Sequence, residues 1–278
     1  MSIPAPRYRE AEWPAIRNAV GMVLRQHRPH TAYGASEVDV AEALDRIACY
    51  QRSLRIAVSF HSFVLHCLAQ AAVAIPAVLT YRRGNRLVTF EEADVGTVLE
   101  KRLPDGLRVP VGYIVRAADR KSLAQINWEL RRAARSDLQD EAEVRFRRRV
   151  ARLPGWVRRV LSARVVRDPF LLRRIHGTIG LTNVQTRAFH SPFWVFPPNI
   201  YTLTMAIGNL TRRVVAQPDG TTEVRKVQCI SSGADHAVVD GMALARFAQR
   251  FVHLVETADG LDAAFEEQSS RFLQTQPA

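Results

Sequence analysis

The chain has 278 residues, 47% of them hydrophobic, and a formal net charge of +12. That length and apolar content suffice to bury a substantial core, in one large domain or two small ones. Its three cysteines, Cys49, Cys67 and Cys229, are an odd number without metal-site spacing, which excludes a disulfide framework and predicts reduced thiols in the cytoplasm. The N-terminus lacks the apolar run of a signal peptide. The longest apolar run, residues 60–79, includes two histidines and a proline, which favours a buried helix over a membrane span.

Apolar residues recur with helical or strand periodicity along most of the chain. In chain order they predict a helix at 11–27, an extended segment at 31–40, helices at 40–50 and 59–73, strands at 87–90, 95–99 and 107–115, a helix at 122–134, strands at 179–184, 200–207 and 224–231, and a helix at 241–255. A turn at residues 104–106 (PDG) leads into the strand at 107–115. Strands and helices alternate irregularly and without a repeat, which predicts one α/β or α+β domain with a mixed sheet.

Residues 145–174 carry most of the net charge. They contain eleven arginines, no lysine and a single acid, Asp168, so the rest of the chain is close to neutral and a nucleic-acid binder with charge over its whole surface is not expected. Pro154 and Gly155 divide the segment, and the apolar residues that follow fall largely on one helical side, which predicts a basic amphipathic hairpin. Two interpretations stay open: a helical cover with a solvated arginine face, or a docking surface for anionic lipid headgroups, an acidic partner or a phosphate-bearing ligand.

The strongest candidate for chemistry is the segment at residues 235–241 (DHAVVDG), between a strand pattern and a helical pattern. His236 could act as a general base, because an imidazole exchanges protons near neutral pH. Asp240 could brace the turn that presents it, and Gly241 would let the backbone bend tightly before the helix. A capping Asp-Gly beside a buried histidine would produce the same pattern, so these residues alone do not decide between the two.

Five further segments fall in a fixed order along the chain. They are residues 37–40 (EVDV), 103–111 (LPDGLRVPV), 118–126 (ADRKSLAQI), 177–183 (GTIGLTN) and 197–199 (PPN). With the segment at 235–241, they resemble the catalytic domain of the dihydrolipoamide acyltransferase component of 2-oxoacid dehydrogenase complexes. That family carries a Pro-Asp-Gly-Leu-x-Val-Pro-Val strand and a Gly-Thr-Phe-Thr-Ile-Ser-Asn segment, and it belongs to the chloramphenicol acetyltransferase-like superfamily.

The resemblance implies a fold and an assembly. The fold is an α/β two-layer sandwich, chloramphenicol acetyltransferase-like, with a mixed sheet and helices on one face. The assembly is a homotrimer with each active site at a subunit interface, and the polar residues 269–278 predict that it stops at three chains. We expect one acyltransferase catalytic domain over residues 1–278, with a basic amphipathic helical insertion at about 140–175 and no lipoyl or peripheral-subunit-binding domain, so any lipoyl group would be supplied in trans.

The resemblance also implies roles for individual residues. His236 corresponds to the base that takes the proton of an acceptor thiol or hydroxyl as it attacks an acyl-CoA thioester. Thr182 stands where the family has a serine that donates to the oxyanion, although a buried strand threonine bonded to the backbone is the alternative. Asp240 corresponds to the aspartate that fixes the active-site turn. Asn183 and Gly241 are weaker candidates for orienting the loop and binding the cofactor.

The expected function is therefore a CoA-dependent acyltransferase, with a non-catalytic trimeric scaffold or partner-binding protein as the alternative. Acyl-CoA is the expected co-substrate, and neither a metal nor a nucleic acid is expected. Gln185 replaces a glycine usual in the family, which changes a channel wall. His30 lies where the family's chain approaches the active site, and its role stays open. The expected location is the cytoplasm, with peripheral attachment to a membrane through residues 145–174 as an open possibility.

Overall fold

A computed structural model describes residues 30–53, 57–102, 108–135, 150, 153–186, 188, 191–217 and 219–274. The helix predicted at 11–27 and the turn predicted at 104–106 lie outside these residues. So does most of the first half of the arginine-rich segment, before residue 153.

The described residues form eight strands and seven helices. The strands are β1 (Thr31–Asp39), β2 (Thr80–Arg83), β3 (Arg86–Thr89), β4 (Val95–Arg102), β5 (Arg108–Val115), β6 (Ile179–Asn183), β7 (Leu203–Ala216) and β8 (Thr222–Asp235). The helices are α1 (Ala41–Ser53), α2 (Phe60–Ala74), α3 (Leu123–Arg135), α4 (Gly155–Arg167), α5 (Pro169–His176), α6 (Gly241–Glu256) and α7 (Ala263–Gln274). Two short 3-10 segments lie at Pro76–Leu79 and Ala118–Arg120.

Six strands form one mixed sheet in the order β1-β8-β7-β6-β4-β5. The pairs β4–β6 and β6–β7 are parallel, and the remaining pairs are antiparallel. The strands β2 and β3 form a separate hairpin. The predicted mixed sheet is therefore confirmed.

The helices α2, α3 and α6 form the second layer, on one face of the sheet. Alternate residues of β7, namely Leu203, Met205 and Ile207, are buried in a core that also contains Phe63 of α2 and Phe247 of α6. Because neighbouring side chains of a strand point to opposite faces, the residues between them face away from these helices. The two-layer sandwich predicted from the sequence is confirmed.

The opposite face of the sheet is crossed by the extended segment at residues 191–200. The N–H of Asn209 on β7 donates to the carbonyl of Phe193 at 3.1 Å, and the hydroxyl of Ser231 on β8 donates to the carbonyl of Val195 at 2.5 Å. These bonds hold the segment against β7 and β8. It therefore borders the face on which even-numbered residues of β6 and β7 lie.

The predicted elements within the described residues are present, with three differences. The strand β2 and the helix α7 were not predicted. The helix expected after Pro154 ends at Arg167, because the carboxylate of Asp168 accepts the N–H of Phe170 at 2.9 Å and Pro169 starts a new helix.

The apolar side predicted for the helix after Pro154 is largely exposed on α4. Trp156 is 71% exposed and Val160 is 61% exposed, so the apolar side of α4 is not covered as an amphipathic cover would be. Arg164 is exposed on the same side of the helix, one turn after Val160. Only Val165 of α4 packs on a buried apolar cluster, the small one beneath β2 and β3.

Candidate active site

The turn between β8 and α6 is held by hydrogen bonds to Asp235. Its carbonyl accepts the N–H of Val238 at 3.0 Å and of Val239 at 2.9 Å, and its carboxylate accepts the N–H of Ala237 at 3.1 Å. An aspartate that bonds the backbone two residues on forms an Asx turn. The geometry of the turn that carries His236 therefore depends on the residue immediately before it.

His236 is fixed through its backbone, while its side chain is exposed. Its N–H donates to the carbonyl of His30 at 2.8 Å, which joins the turn to the start of β1. Within the described residues of this protomer its imidazole makes no hydrogen bond, so both ring nitrogens are available to a ligand or a partner subunit. His30, whose role was left open, contributes a backbone carbonyl here.

Asp240 caps the helix that follows the turn. Its carboxylate accepts the N–H of Ala243 at 2.7 Å, and Asp240 is the N-cap of α6. Such a cap satisfies one of the free N–H groups at the helix start and stabilises the helix. The sequence assigned the bracing of the turn to Asp240, whereas the structure divides it between Asp235, which binds the turn, and Asp240, which starts the helix.

The expectation that Gly241 permits a tight bend is wrong. Gly241 does not have a positive φ, and a Cβ placed on it would meet no atom within 4 Å. As the first residue of α6, it has ordinary helical geometry that other residues can adopt. Its assignment to cofactor binding stays a prediction.

Thr182 lies on β6, opposite Ala206 of β7, and is half-buried. This register places it on the face of the sheet away from α2, α3 and α6. On the same face the ring of Tyr201 would lie 2.6 Å from a Cβ at Gly180, so only glycine fits there. Its hydroxyl has no hydrogen bond within the part of the chain that the structure describes, unlike the backbone-bonded threonine that was the alternative.

Asn183 ends β6 with an Asx turn. Its side-chain oxygen accepts the N–H of Gln185 at 3.0 Å, and Asn183 itself is exposed. The bond shapes the loop that contains Gln185. Arg187, Phe189 and His190, which follow, lie outside the described residues.

The two residues expected to do the chemistry are far apart in one protomer. Thr182 pairs with Ala206, which pairs with Ser231 of β8, so Thr182 lies two strands away from β8 and five residues short of His236. At ~3.3 Å per residue and ~4.8 Å per strand, the separation is about 16 Å along the strands and about 10 Å across them. A base and an oxyanion donor must both reach one carbonyl within hydrogen-bond distance, so a single protomer does not bring them together.

The two histidines of α2 have partners of their own. His61 Nε2 lies 2.8 Å from the hydroxyl of Thr97, and His66 Nε2 lies 3.3 Å from the carboxylate of Asp259. The described residues contain no group of three or more histidines, cysteines or carboxylates that could bind a metal ion. No helix among them is both long and apolar enough to cross a membrane.

A comparison with protein-family models identifies the catalytic domain of the 2-oxoacid dehydrogenases acyltransferase family over residues 7–144 and 196–261, which is most of the chain. The chain belongs to this family. The matched parts of this acyltransferase domain include His30 and the whole turn from Asp235 to Gly241. Thr182, Asn183 and the arginine-rich segment lie between the two matched parts.

Individual relatives of this family agree with that result. Over 85 residues the chain is 33% identical to the dihydrolipoyllysine-residue acetyltransferase component 4 of the chloroplast pyruvate dehydrogenase complex of Arabidopsis thaliana. That stretch is 31% of the chain but only 18% of the relative, so the chain spans well under two thirds of its length.

Solved structures show that the fold is shared. The chain matches a probable dihydrolipoamide acetyltransferase of Listeria monocytogenes with a TM-score of 0.63 at 16% identity, covering 90% of this chain and 95% of that one. It matches the dihydrolipoamide acetyltransferase of Azotobacter vinelandii with a TM-score of 0.64 at 15% identity, covering 94% and 99%. A chloramphenicol acetyltransferase matches with a TM-score of 0.50 at 17% identity, covering 89% and 95%. The predicted chloramphenicol acetyltransferase-like fold is confirmed.

Proposed function

We propose that the protein is a CoA-dependent acyltransferase in which His236 is the general base. The observation that carries this proposal is the turn at residues 235–241. It lies inside a segment matched to the family, and it presents an exposed imidazole on a backbone held by Asp235 and His30. Fixed geometry matters because a base assists only when it is held within hydrogen-bond reach of the proton that it removes.

In the proposed reaction, His236 takes the proton of an acceptor thiol or hydroxyl while the acceptor attacks the thioester carbonyl of acyl-CoA. The tetrahedral intermediate carries a negative oxygen. Its collapse breaks the carbon–sulfur bond, and the imidazolium returns the proton to the departing CoA thiolate. The hydroxyl of Thr182 is the proposed donor to the oxyanion, a contribution that is typically worth roughly 3–4 kcal/mol.

The site is proposed to form between two subunits of a homotrimer. The separation of Thr182 and His236 within one protomer supports this arrangement, because a neighbouring copy can supply the missing group. His236 of one protomer would act with the partner subunit's Thr182. Asn183 would hold the loop beside the same substrate channel through its bond to Gln185.

The acceptor is proposed to be a thiol or a hydroxyl. Dihydrolipoamide is the first acceptor to test, because the relatives are dihydrolipoamide or dihydrolipoyllysine-residue acetyltransferases. A small-molecule or lipid acceptor is the second class to test. Action in the cytoplasm stays a prediction.

The test measures CoA release from acetyl-CoA and longer acyl-CoAs, with dihydrolipoamide and a panel of thiols and alcohols as acceptors. Replacing His236→Ala should lower kcat by about 10²–10⁴-fold with little change in stability, because the exposed imidazole makes no internal contact that stabilises the protomer. His253→Ala is the matched control, since His253 is exposed on α6 outside the proposed site, and it should keep the activity of the unmodified protein.

The non-catalytic scaffold makes the opposite prediction. If the unmodified protein and the His236→Ala variant release CoA equally slowly with every acceptor, the general-base role is wrong and the scaffold is favoured. A rate that falls equally in the His253→Ala control would point to unspecific damage and would also contradict the assignment.

A further inference from the structure

One exposed face of α4 combines large apolar side chains with arginines. Trp156 and Val160 lie one helical turn apart and are 71% and 61% exposed. Arg159, Arg164 and Arg167 are exposed on the same face. We call these five residues the α4 patch. An exposed indole beside an exposed valine offers apolar surface whose burial against a partner would be favourable.

The patch is not needed to attach α4 to the protein. The helix packs through its other side, where Val165 contacts a small cluster that contains Tyr81, Phe90 and Leu172. Ser162, also on that side, is buried and donates to the carbonyl of Arg159 at 3.0 Å. The outward residues can therefore be replaced without disturbing this packing.

The positive charge of the patch is not neutralised by neighbouring acids that the structure describes. Arg159, Arg164 and Arg167 have no carboxylate within ion-pair distance among the described residues. Arg173 on α5 differs, since it bonds the carboxylates of Asp94 and Glu92 at 2.8 Å each. An arginine that serves the fold is paired, whereas those of the patch remain available to an external anion.

The hairpin β2–β3 carries two further exposed arginines, one of which, Arg83, lies 3.8 Å from the carboxylate of Asp168. Arg83 and Arg86 are exposed and stand opposite each other in the register of the two strands. They lie on the same face of the hairpin as Tyr81, which packs against Leu172 of α5. The guanidinium of Arg83 lies 5.4 Å from the centre of the half-exposed Phe170 ring on α5. Basic and apolar groups thus alternate over two separate elements.

The family match does not account for this surface. The matched parts are residues 7–144 and 196–261, and α4 and α5 lie between them. The turn that carries His236 lies in the second matched part. The patch therefore lies outside the matched parts of the acyltransferase domain, and its role can be tested independently of the proposed catalytic function.

We infer that the α4 patch docks this protein onto the surface of an anionic phospholipid bilayer. The arginines would bind phosphate headgroups, while Trp156 and Val160 would enter the boundary between headgroups and acyl chains. The positive charge of the patch favours an anionic surface. Its apolar residues, Trp156 and Val160, favour a lipid over a nucleic acid. A nucleic acid would satisfy the arginines through its phosphates but would give Val160 no apolar medium.

The test uses flotation of the full chain with vesicles of phosphatidylcholine, alone or mixed with phosphatidylglycerol. We expect binding to the mixed vesicles only, weaker at high salt because headgroup attraction is screened. Each patch arginine should contribute about fivefold to partitioning. The double variant Arg164→Gln and Arg167→Gln should therefore lower partitioning by about 25-fold. Val160→Ser should lower it by about fivefold, since it removes the exposed apolar side chain that would enter the lipid.

Matched controls separate the patch from general charge and hydrophobicity. Arg246→Gln with Arg250→Gln removes two exposed arginines from α6, and Val214→Ser removes a valine that is 71% exposed on β7. Both controls should partition like the unmodified protein. Light scattering should give the same mass for all variants.

Three results would overturn the inference. The first is no binding to the anionic vesicles by the unmodified protein. The second is unchanged partitioning of Val160→Ser, which would show a site for polyanions that does not enter lipid. The third is a lower oligomer mass in the patch variants only, which would make this face a contact between copies of the chain.

Discussion

At the scale of single residues, His61 shows how burial controls a titratable group outside the proposed site. Its Nε2 lies 2.8 Å from the hydroxyl of Thr97, and its Nδ1 is buried without a partner among the described residues. Burial lowers the pKa of His61 to about 4, because a charged imidazole would lose its hydration there. The folded protein therefore holds this ring neutral at pH values where an unfolded chain would protonate it.

This difference predicts a specific loss of stability in acid. Between pH 6.5 and pH 4 the unfolded chain binds a proton at His61 that the folded chain does not, so the free energy of unfolding falls as pH falls through this window. Relative to His61→Phe, the unmodified protein should lose up to about 3 kcal/mol between pH 7 and pH 4. Urea denaturation at both pH values measures it, with the exposed His253→Phe as control. Parallel pH profiles for the unmodified protein and His61→Phe would show that His61 does not carry this loss.

The sequence indicated residues of the proposed site only where side-chain chemistry sufficed to single them out. His236 stood out because an imidazole between a strand and a helix is suited to proton transfer. The role of Asp235 depended on backbone geometry, since its contacts are to N–H groups, which every residue but proline has. Its position directly before the turn was the available signal, as aspartate favours Asx turns. The prediction of a tight bend at Gly241 was wrong for a different reason: glycine permits an unusual φ but does not require one.

At the scale of elements, Asp94 joins the basic helices to the start of the strand that carries Thr182. Its carboxylate accepts from Arg173 at 2.8 Å, from the N–H of Ala117 at 2.8 Å and from Arg116 at 3.1 Å. Its carbonyl accepts the N–H of Thr178, just before β6, at 2.7 Å. Burial opposes ionisation of the carboxyl, but these hydrogen bonds outweigh it and lower the pKa of Asp94.

Replacing Asp94→Asn should destabilise this junction strongly. The carboxylate side chain is only 2% exposed, and its loss leaves two arginines without their shared anion. We expect a loss of about 2–3 kcal/mol, below the 3–5 kcal/mol of a fully buried pair because both arginines keep contact with water. Asp45→Asn is the matched control, since the side chain of Asp45 is 69% exposed and pairs with Lys226 at the surface. This replacement should cost less than about 1 kcal/mol. Equal losses in chemical denaturation of the two variants would contradict the role given to Asp94.

The elements that could be predicted were those with one dominant pattern. In α2 and α6, apolar residues recur with helical spacing over the whole helix and form buried faces. The strand β1 is extended over nine residues. The strand β2 was missed because two of its four residues are arginines, so strand alternation is not visible in so short a segment. For α4, side-chain periodicity located the helix, but which face is covered depends on the hairpin β2–β3, which lies about 70 residues earlier in the chain.

At the scale of the whole molecule, the strand order determines where a catalytic site can form. β8 ends at the turn that carries His236, and β6 carries Thr182 on the face opposite the helices. β7 lies between these two strands, so the sheet itself holds the two residues apart. Local rearrangement of a loop cannot close a gap of this size, because both residues are attached to paired strands. A second copy of the chain is the simplest source of the missing group.

This arrangement predicts that two inactive variants restore activity when they share a trimer. His236→Ala and Thr182→Val should each be nearly inactive alone, since one lacks the base and the other lacks the hydroxyl. Trimers assembled from equal amounts of both should regain about one quarter of the sites, because each site needs an intact His236 from one chain and the partner subunit's Thr182 intact.

Mixing the unmodified protein with the double variant is the control. It should retain about one quarter of the activity if the residues act between chains, and about one half if they act within one. CoA release from co-refolded mixtures, with the trimer verified by light scattering, distinguishes the two. The absence of any recovery in the first mixture would show that sites are not shared between subunits.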